Sequence, residues 1–208
     1  NFCGTHFFNP PRYLRLLEII PSTKTDPEVI DFFMDYGDRF LGKQTVLCKD
    51  TPAFIANRVG VFSICAIFKL IEEFDLTIDE VDSLTGPLTG RPKSATFRTC
   101  DVVGLDTMIK VATGVYDNCT EDERRDIFKV PDYVLKMEEN GWLGDKTKQG
   151  FYKKTKDENG KRQIMSLDLK TLEYGPKQKP KFASVANAKQ SDDLKDRIKI
   201  LNKADDKA

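Results

Sequence analysis

The chain has 208 residues, and its 33 lysines and arginines balance its 33 aspartates and glutamates, so its formal net charge is zero. A chain of this length can bury one or two modest cores. The balanced charge gives no field that would attract nucleic acid or an anionic membrane, and no apolar run approaches the roughly 20 residues that span a bilayer.

The five cysteines are widely spaced and odd in number. Zinc sites and redox motifs need cysteine pairs with short spacers, and no such pair occurs. We therefore expect no metal site. Most of these thiols are expected to be small buried residues of a protein from a reducing compartment, the cytoplasm.

The first 50 residues have a β-β-α-β pattern. Residues 2–8 and 13–20 are predicted to be strands, 27–42 a helix that opens with a cap and a proline, and 45–48 a short strand. This order is typical of the closing part of an α/β sheet domain. We assign it to a domain at residues 1–50, and because the chain opens inside an apolar strand we expect a fragment.

A hinge at 49–52 leads into a second domain, placed at residues 51–175. Its first helix, predicted at 54–74, is apolar nearly all round between Val59 and Phe68, as is typical of a central buried helix. Further elements are a capping box at 77–80, a loop at 84–92, helices at 94–100, 106–117 and 132–139, and a hairpin from 151–154 to 163–167. Residues 176–208 are predicted to be a polar linker with one short amphipathic helix.

His6 is the only histidine, and Glu18 is the only acid in the apolar run at 14–20. A glutamate in a buried strand needs a partner, and His6 on the preceding strand can provide one. A carboxylate that orients an imidazole is the usual construction of a general base. Two plainer interpretations stay open: His6 is a packed or solvated residue, and Glu18 is an edge-strand acid that faces water.

Five motifs together resemble the L-3-hydroxyacyl-CoA dehydrogenases of fatty acid β-oxidation. They occur in the family's order, at about its spacings, and cover residues 4–154. The motifs are His6-Phe7-Phe8-Asn9-Pro10, Leu16-Leu17-Glu18-Ile19-Ile20, Lys49-Asp50-Thr51-Pro52-Ala53-Phe54-Ile55-Ala56-Asn57-Arg58, Asp101-Val102-Val103-Gly104-Leu105-Asp106-Thr107 and Lys146-Thr147-Lys148-Gln149-Gly150-Phe151-Tyr152.

The resemblance implies a mainly α protein, in which a helical C-terminal domain follows the last strands and helix of a Rossmann-type domain. It implies that His6 accepts the proton of an acyl-CoA hydroxyl, that Glu18 orients His6, and that Asn57 lies against the substrate, although an amide that bonds backbone at a helix start is the plainer reading of Asn57. It also implies NAD as the cofactor, with Asn9 and Lys146 in contact with it. The expected partners are an acyl-CoA substrate, a second copy bound through the helical domain, and a fused or associated enoyl-CoA hydratase.

The chain also departs from the family pattern. It contains no Gly-x-Gly-x-x-Gly turn for a dinucleotide, so we expect weak NAD binding and no activity of the chain alone. Residues 90–97 replace the family's usual Pro-Met-Gly-Pro-Phe, and Arg91 and Lys93 there could face CoA phosphates. The alternatives are a related dehydrogenase for another hydroxy acid or acyl-CoA, and a non-catalytic dimerisation module.

Overall fold

The computed structural model describes residues 2–208, so residue 1, where the first predicted domain begins, lies outside the description. The described residues are mainly helical and include two three-stranded sheets. The elements are β1 (Cys3–Phe7), β2 (Leu16–Pro21), α1 (Pro27–Arg39), β3 (Gln44–Leu47), α2 (Ala56–Glu73), α3 (Ile78–Leu84), α4 (Phe97–Val103), α5 (Leu105–Asn118), α6 (Asp132–Glu139), β4 (Tyr152–Lys156), β5 (Arg162–Leu167), β6 (Tyr174–Pro176), α7 (Ala183–Ala188) and α8 (Leu194–Leu201).

The first sheet has the order β1-β2-β3. Strand β1 runs antiparallel to β2, whereas β3 runs parallel to β2 and is reached through the crossover helix α1. The second strand was expected to start at residue 13, but a turn in which Tyr13 and Leu14 donate to the Pro10 carbonyl delays it to Leu16. The register of the β1–β2 pair places His6 directly opposite Glu18.

The helical part surrounds a core of aromatic rings contributed by distant segments. Phe68 of α2 stacks with Phe97 of α4 at 5.6 Å, and Phe151 lies 4.7 Å from Phe97, edge to face. All three rings are fully buried. Because offset and edge-to-face pairs add to the hydrophobic gain, these rings anchor α2, α4 and the second sheet to one another.

Helix α2 differs from the fully buried helix that its composition predicts. One face is buried, including Cys65 and Phe68, but Val59 is 63% exposed and Leu70 is 44% exposed. Only the buried face packs on neighbouring helices of the described chain. An apolar sequence shows that a helix can be buried on every side, but it does not show how many sides have a partner.

Two carboxylates, the buried Asp101 and the partly buried Asp82, hold loops against the helical core. Asp82 accepts from the Thr96, Phe97 and Arg98 amides at the start of α4, and Asp101 accepts from the Phe151 and Tyr152 amides. Burial raises the pKa of Asp101 to about 6, although both amide bonds oppose the change. The expected capping box is also present, with Thr77 and Glu80 bonded reciprocally.

Residues 176–208 contain the predicted short helix, as α8, and a second helix, α7, that was not predicted. Both α7 and α8 pack against Leu88, which lies in a 3-10 turn after α3, and Val185 and Ala188 complete this small apolar cluster. Asp206 accepts from the Ser184 amide and hydroxyl, so the end of the chain is tied to α7. The apolar stripe is short, but it has a partner in the turn after α3.

We expect Ala188→Asp to release this C-terminal segment. Ala188 is fully buried, and an unpaired charge there would be costly. Cleavage by trypsin after Lys189 should become at least about tenfold faster, because cleavage follows local opening. The matched control is Ala186→Asp, two residues away and exposed, which should be cleaved as the unmodified chain is. Equal rates for both variants would show that the segment is not held by this cluster.

None of the helices in residues 2–208 combines the length and the apolar character that a bilayer crossing requires.

Candidate functional site

His6 and Glu18 form a hydrogen-bonded pair at the centre of the first sheet. Their Cα atoms are register partners on β1 and β2, and His6 Nδ1 lies 2.6 Å from Glu18 Oε2. The Glu18 side chain is buried, whereas 31% of the His6 side chain is exposed. Antiparallel pairing thus brings together the two residues that the sequence singled out. The carboxylate is buried and part of the imidazole is exposed to solvent.

Glu18 is also bound by backbone amides at the start of α2. Its other oxygen, Oε1, accepts from the Ile55 amide at 3.1 Å and from the Ala56 amide at 2.8 Å, at the N-terminus of α2. Burial of the carboxylate raises its pKa, but the bonds from His6, Ala56 and Ile55 outweigh burial and hold the pKa below its usual value. Glu18 is therefore an anion at neutral pH. The stability gained from this lowered pKa is present above about pH 4.3 and is lost as the pH falls through the lowered value.

An ionised Glu18 determines which nitrogen of His6 carries the proton. The carboxylate can only accept, so Nδ1 donates to it, and the lone pair of the neutral ring lies on Nε2. Two aromatic rings flank the imidazole, Phe8 at 4.7 Å and Phe54 at 5.6 Å between centroids. A neutral imidazole in this state can accept one proton at Nε2, and the carboxylate stabilises the resulting cation.

The two asparagines singled out from the sequence lie near the ends of the elements that carry this pair. Asn57 is half-buried in the first turn of α2, one residue beyond the Ala56 amide that binds Glu18. Asn9 is exposed, three residues after His6, and precedes a cis peptide bond to Pro10. Along the chain, Asn9 is thus near His6 and Asn57 is next to an amide that binds Glu18, and their contacts with substrate and cofactor stay predictions.

Lys146 has a partner outside this group. Its ammonium forms an ion pair with Asp106 in the first turn of α5. The hydrogen bond from Lys146 holds the pKa of Asp106 below its usual value. Asp106 lies in one of the five motifs, but the sequence analysis gives it no role. The signal that could have paired it with Lys146 is that both residues are charged and both lie in these motifs. Arg91, considered for CoA phosphates, instead donates to the Ser63 hydroxyl.

Sequence reasoning missed three contributors to the Glu18 environment: the Ile55 and Ala56 amides and the Cys48 thiol. Cys48 is buried at the end of β3. Burial raises the pKa of this thiol to about 11, and the neighbouring Glu18 charge adds to the effect, so the thiol is neutral. Every residue except proline has a backbone amide, so no residue type could have indicated these two donors.

Comparison with known proteins gives matches along the whole chain. Residues 1–51 match the sequence model of the 3-hydroxyacyl-CoA dehydrogenase NAD binding domain, and residues 54–154 match that of the 3-hydroxyacyl-CoA dehydrogenase C-terminal domain. A probable 3-hydroxyacyl-CoA dehydrogenase of Bacillus subtilis is 49% identical over all 208 residues, which correspond to 26% of that protein. The similarity to this relative therefore extends through α7 and α8.

Two further similarities support the same grouping. A putative fatty acid oxidation complex trifunctional enzyme of Rickettsia prowazekii is 33% identical over 180 residues, which are 86% of this chain and 25% of that protein. The crystal structure of FadB2 from M. tuberculosis superposes with a TM-score of 0.65 at 30% identity, and covers 73% of this chain and 51% of that one. The chain thus spans about a quarter to a half of the length of these relatives.

Proposed function

The chain belongs to the 3-hydroxyacyl-CoA dehydrogenase family, and we propose that it supplies the proton-accepting part of an oxidoreductase that converts (S)-3-hydroxyacyl-CoA to 3-ketoacyl-CoA in fatty acid β-oxidation. The observation that carries the proposal is the His6–Glu18 pair, in which a buried carboxylate holds Nδ1 and leaves Nε2 free. The match of residues 1–51 to the NAD binding domain identifies NAD as the cofactor.

In the proposed reaction, His6 Nε2 accepts the proton of the substrate hydroxyl, and the carbon that bears this hydroxyl loses hydride. When NAD is bound, it supplies the acceptor for that hydride. Glu18 keeps Nδ1 protonated and stabilises the imidazolium that forms. Phe8 and Phe54 shield the ring from water, which strengthens this electrostatic effect. Asn57 is proposed to lie against the substrate, and Asn9 and Lys146 to contact the cofactor.

The described residues fit only one end of a dinucleotide. The exposed part of His6, with Asn9 beyond β1, fits the reacting end. The pyrophosphate end needs a glycine-rich turn at a helix N-terminus, and residues 2–208 contain no Gly-x-Gly-x-x-Gly segment. We therefore propose that the chain by itself binds NADH weakly and does not turn over substrate.

Titration calorimetry with NADH and acetoacetyl-CoA tests this function. The chain should be compared with the whole protein, or with the same chain extended upstream by a complete nucleotide domain. We expect only the longer protein to bind NADH and to reduce the ketone. A longer protein that binds neither would overturn the dehydrogenase proposal, and a short chain that turns over would overturn the proposed need for a nucleotide domain.

We also propose two protein partners, a second copy of the chain and an enoyl-CoA hydratase. A second copy is proposed to bind through the helical domain, where Val59, Val102 and Val103 are exposed. A hydratase fused to, or associated with, the whole protein is also proposed, and the name of the Rickettsia relative, a putative trifunctional enzyme, supports further activities beside the dehydrogenase. The free cysteines are compatible with a cytoplasmic location. A related dehydrogenase with another acyl-CoA or hydroxy acid stays the alternative, because residues 90–97 depart from the family pattern.

A further inference from the structure

The N-terminus of α2 has no side-chain cap of its own, and Glu18 takes that place from the first domain. The N-cap residue Ile55 makes no side-chain capping bond, and no acid lies in the first helical turn. Glu18 accepts from the two amides there, although it precedes them in the chain by 37 and 38 residues. One carboxylate therefore binds both the imidazole of the candidate base and the first amides of the central helix of the other domain.

These two amides follow an unusual backbone segment. Ala53 and Phe54 have φ values of 63° and 49°, a left-handed conformation that L-residues with a Cβ adopt rarely, and here it occurs twice in succession. The Phe54 amide donates to the Thr51 carbonyl at 3.0 Å, which closes the turn. This turn at residues 51–54 directly precedes Ile55 and Ala56, so its conformation sets where their N–H groups lie.

Few other groups can compensate Glu18. The titratable groups that face it are His6 on β1 and the thiol of Cys48 after β3, which is neutral. The remaining donors are the Ile55 and Ala56 amides, which do not titrate. Without these amides, a buried carboxylate would keep His6 as its only strong partner, and such a carboxylate takes up a proton more readily.

We propose that the Ile55 and Ala56 amides are positioning groups of the site: they hold the Glu18 carboxylate against His6 Nδ1, so that the turn at 51–54 controls the tautomer of the base. This inference rests on the proposed role of His6. When the turn holds the amides in place, Glu18 is a carboxylate and Nε2 is free. When the turn changes, Glu18 takes a proton from solvent and His6 loses its fixed tautomer.

The whole 208-residue chain is suited to a test by NMR, because His6 is its only histidine and its ring ¹⁵N signals need no further assignment. The Glu18 carboxyl ¹³C signal is identified by its loss in Glu18→Gln. Ala53→Val places a β-branched residue where φ must be positive, which is strongly disfavoured, whereas Ala53→Gly accepts that conformation freely.

In Ala53→Val we expect the pKa of Glu18 to rise by about one pH unit or more. We also expect the His6 ring signals to move toward those of a mixture of tautomers. Ala53→Gly should keep both signals close to those of the unmodified chain. The amide exchange of Phe68 and its neighbours shows whether each variant keeps the core. A folded Ala53→Val protein with unchanged Glu18 and His6 titrations would overturn the proposal.

A second pair of proteins decides the case in which Ala53→Val fails to fold. Lactic acid in place of Ala56 replaces the donor N–H by an ester oxygen. The control replaces Val59 by the hydroxy acid with the same side chain, which removes an N–H that binds the Ile55 carbonyl at 3.0 Å and not Glu18. We expect the Glu18 pKa to rise only in the first protein. Equal titrations in the two would overturn the proposal. Neither experiment uses substrate, so both report on the positioning role alone. A failed dehydrogenase assignment would appear in the NADH and acetoacetyl-CoA assays, and a failed positioning role would appear in these titrations.

Discussion

His6→Ala in the whole protein is expected to lower kcat by about 10²–10⁴-fold, the usual loss when a positioned general base is removed. The reason is that only His6 presents a nitrogen lone pair beside Glu18, and no other histidine occurs in the chain. The binding of NADH should change little, because the imidazole is proposed to act at the reacting end alone. Steady-state rates with acetoacetyl-CoA and NADH, together with NADH titration, measure both effects.

The alanine variant leaves Glu18 with one partner fewer, so part of any loss could come from lower stability. His6→Gln is the matched control, because an amide can still donate to Glu18 Oε2 but cannot accept a full proton. We expect His6→Gln to be about as inactive as His6→Ala and more resistant to urea. Near-normal kcat in either variant would refute the assignment of His6 as the proton acceptor.

Gly150→Ala is expected to destabilise the protein by about 3 kcal/mol or more. A Cβ at Gly150 would lie 2.6 Å from Gly144 Cα and closer still to an Asp101 carboxylate oxygen. Asp101 cannot move away without losing the Phe151 and Tyr152 amides that it binds in the core. Urea unfolding followed by circular dichroism measures the free energy of unfolding.

Gly114→Ala is the control for this substitution. Gly114 lies inside α5, and a Cβ there would meet no atom within 4 Å beyond its chain neighbours and the backbone of its own helix. Alanine is the better helix former, so this variant should be more stable by about 0.5–1 kcal/mol. Similar stabilities for the two variants would show that the contact between Gly150 and Asp101 gives way easily.

Features with local causes could be predicted from the sequence. The capping box at Thr77 and Glu80 and the helix at Asp132–Glu139 follow from caps and periodicity within a few residues. The placement of His6 opposite Glu18 follows from two adjacent strands and one acid in an apolar run. The motif resemblance agrees with the family matches along residues 1–51 and 54–154.

The missed features depend on contacts between distant segments. Nothing within residues 176–208 shows that Leu88, a hundred residues earlier, would cover the apolar side of α7. The exposed side of α2 is apolar in the same way as its buried side, so composition could not separate them. The left-handed pair Ala53 and Phe54 carries side chains that usually avoid that conformation, so sequence argued against it.

The carboxylates of Glu18 and Asp101, which are buried, and of Asp82, which is partly buried, also bear on the order of folding. Each binds amides far along the chain, up to 38, 16 and 51 residues away. A carboxylate gives up its water only when the surrounding apolar surface has closed, so these bonds are expected to form after the transition state for folding. Interactions that form late slow unfolding without speeding folding. The three acids therefore act mainly on the lifetime of the folded protein, including the arrangement around His6.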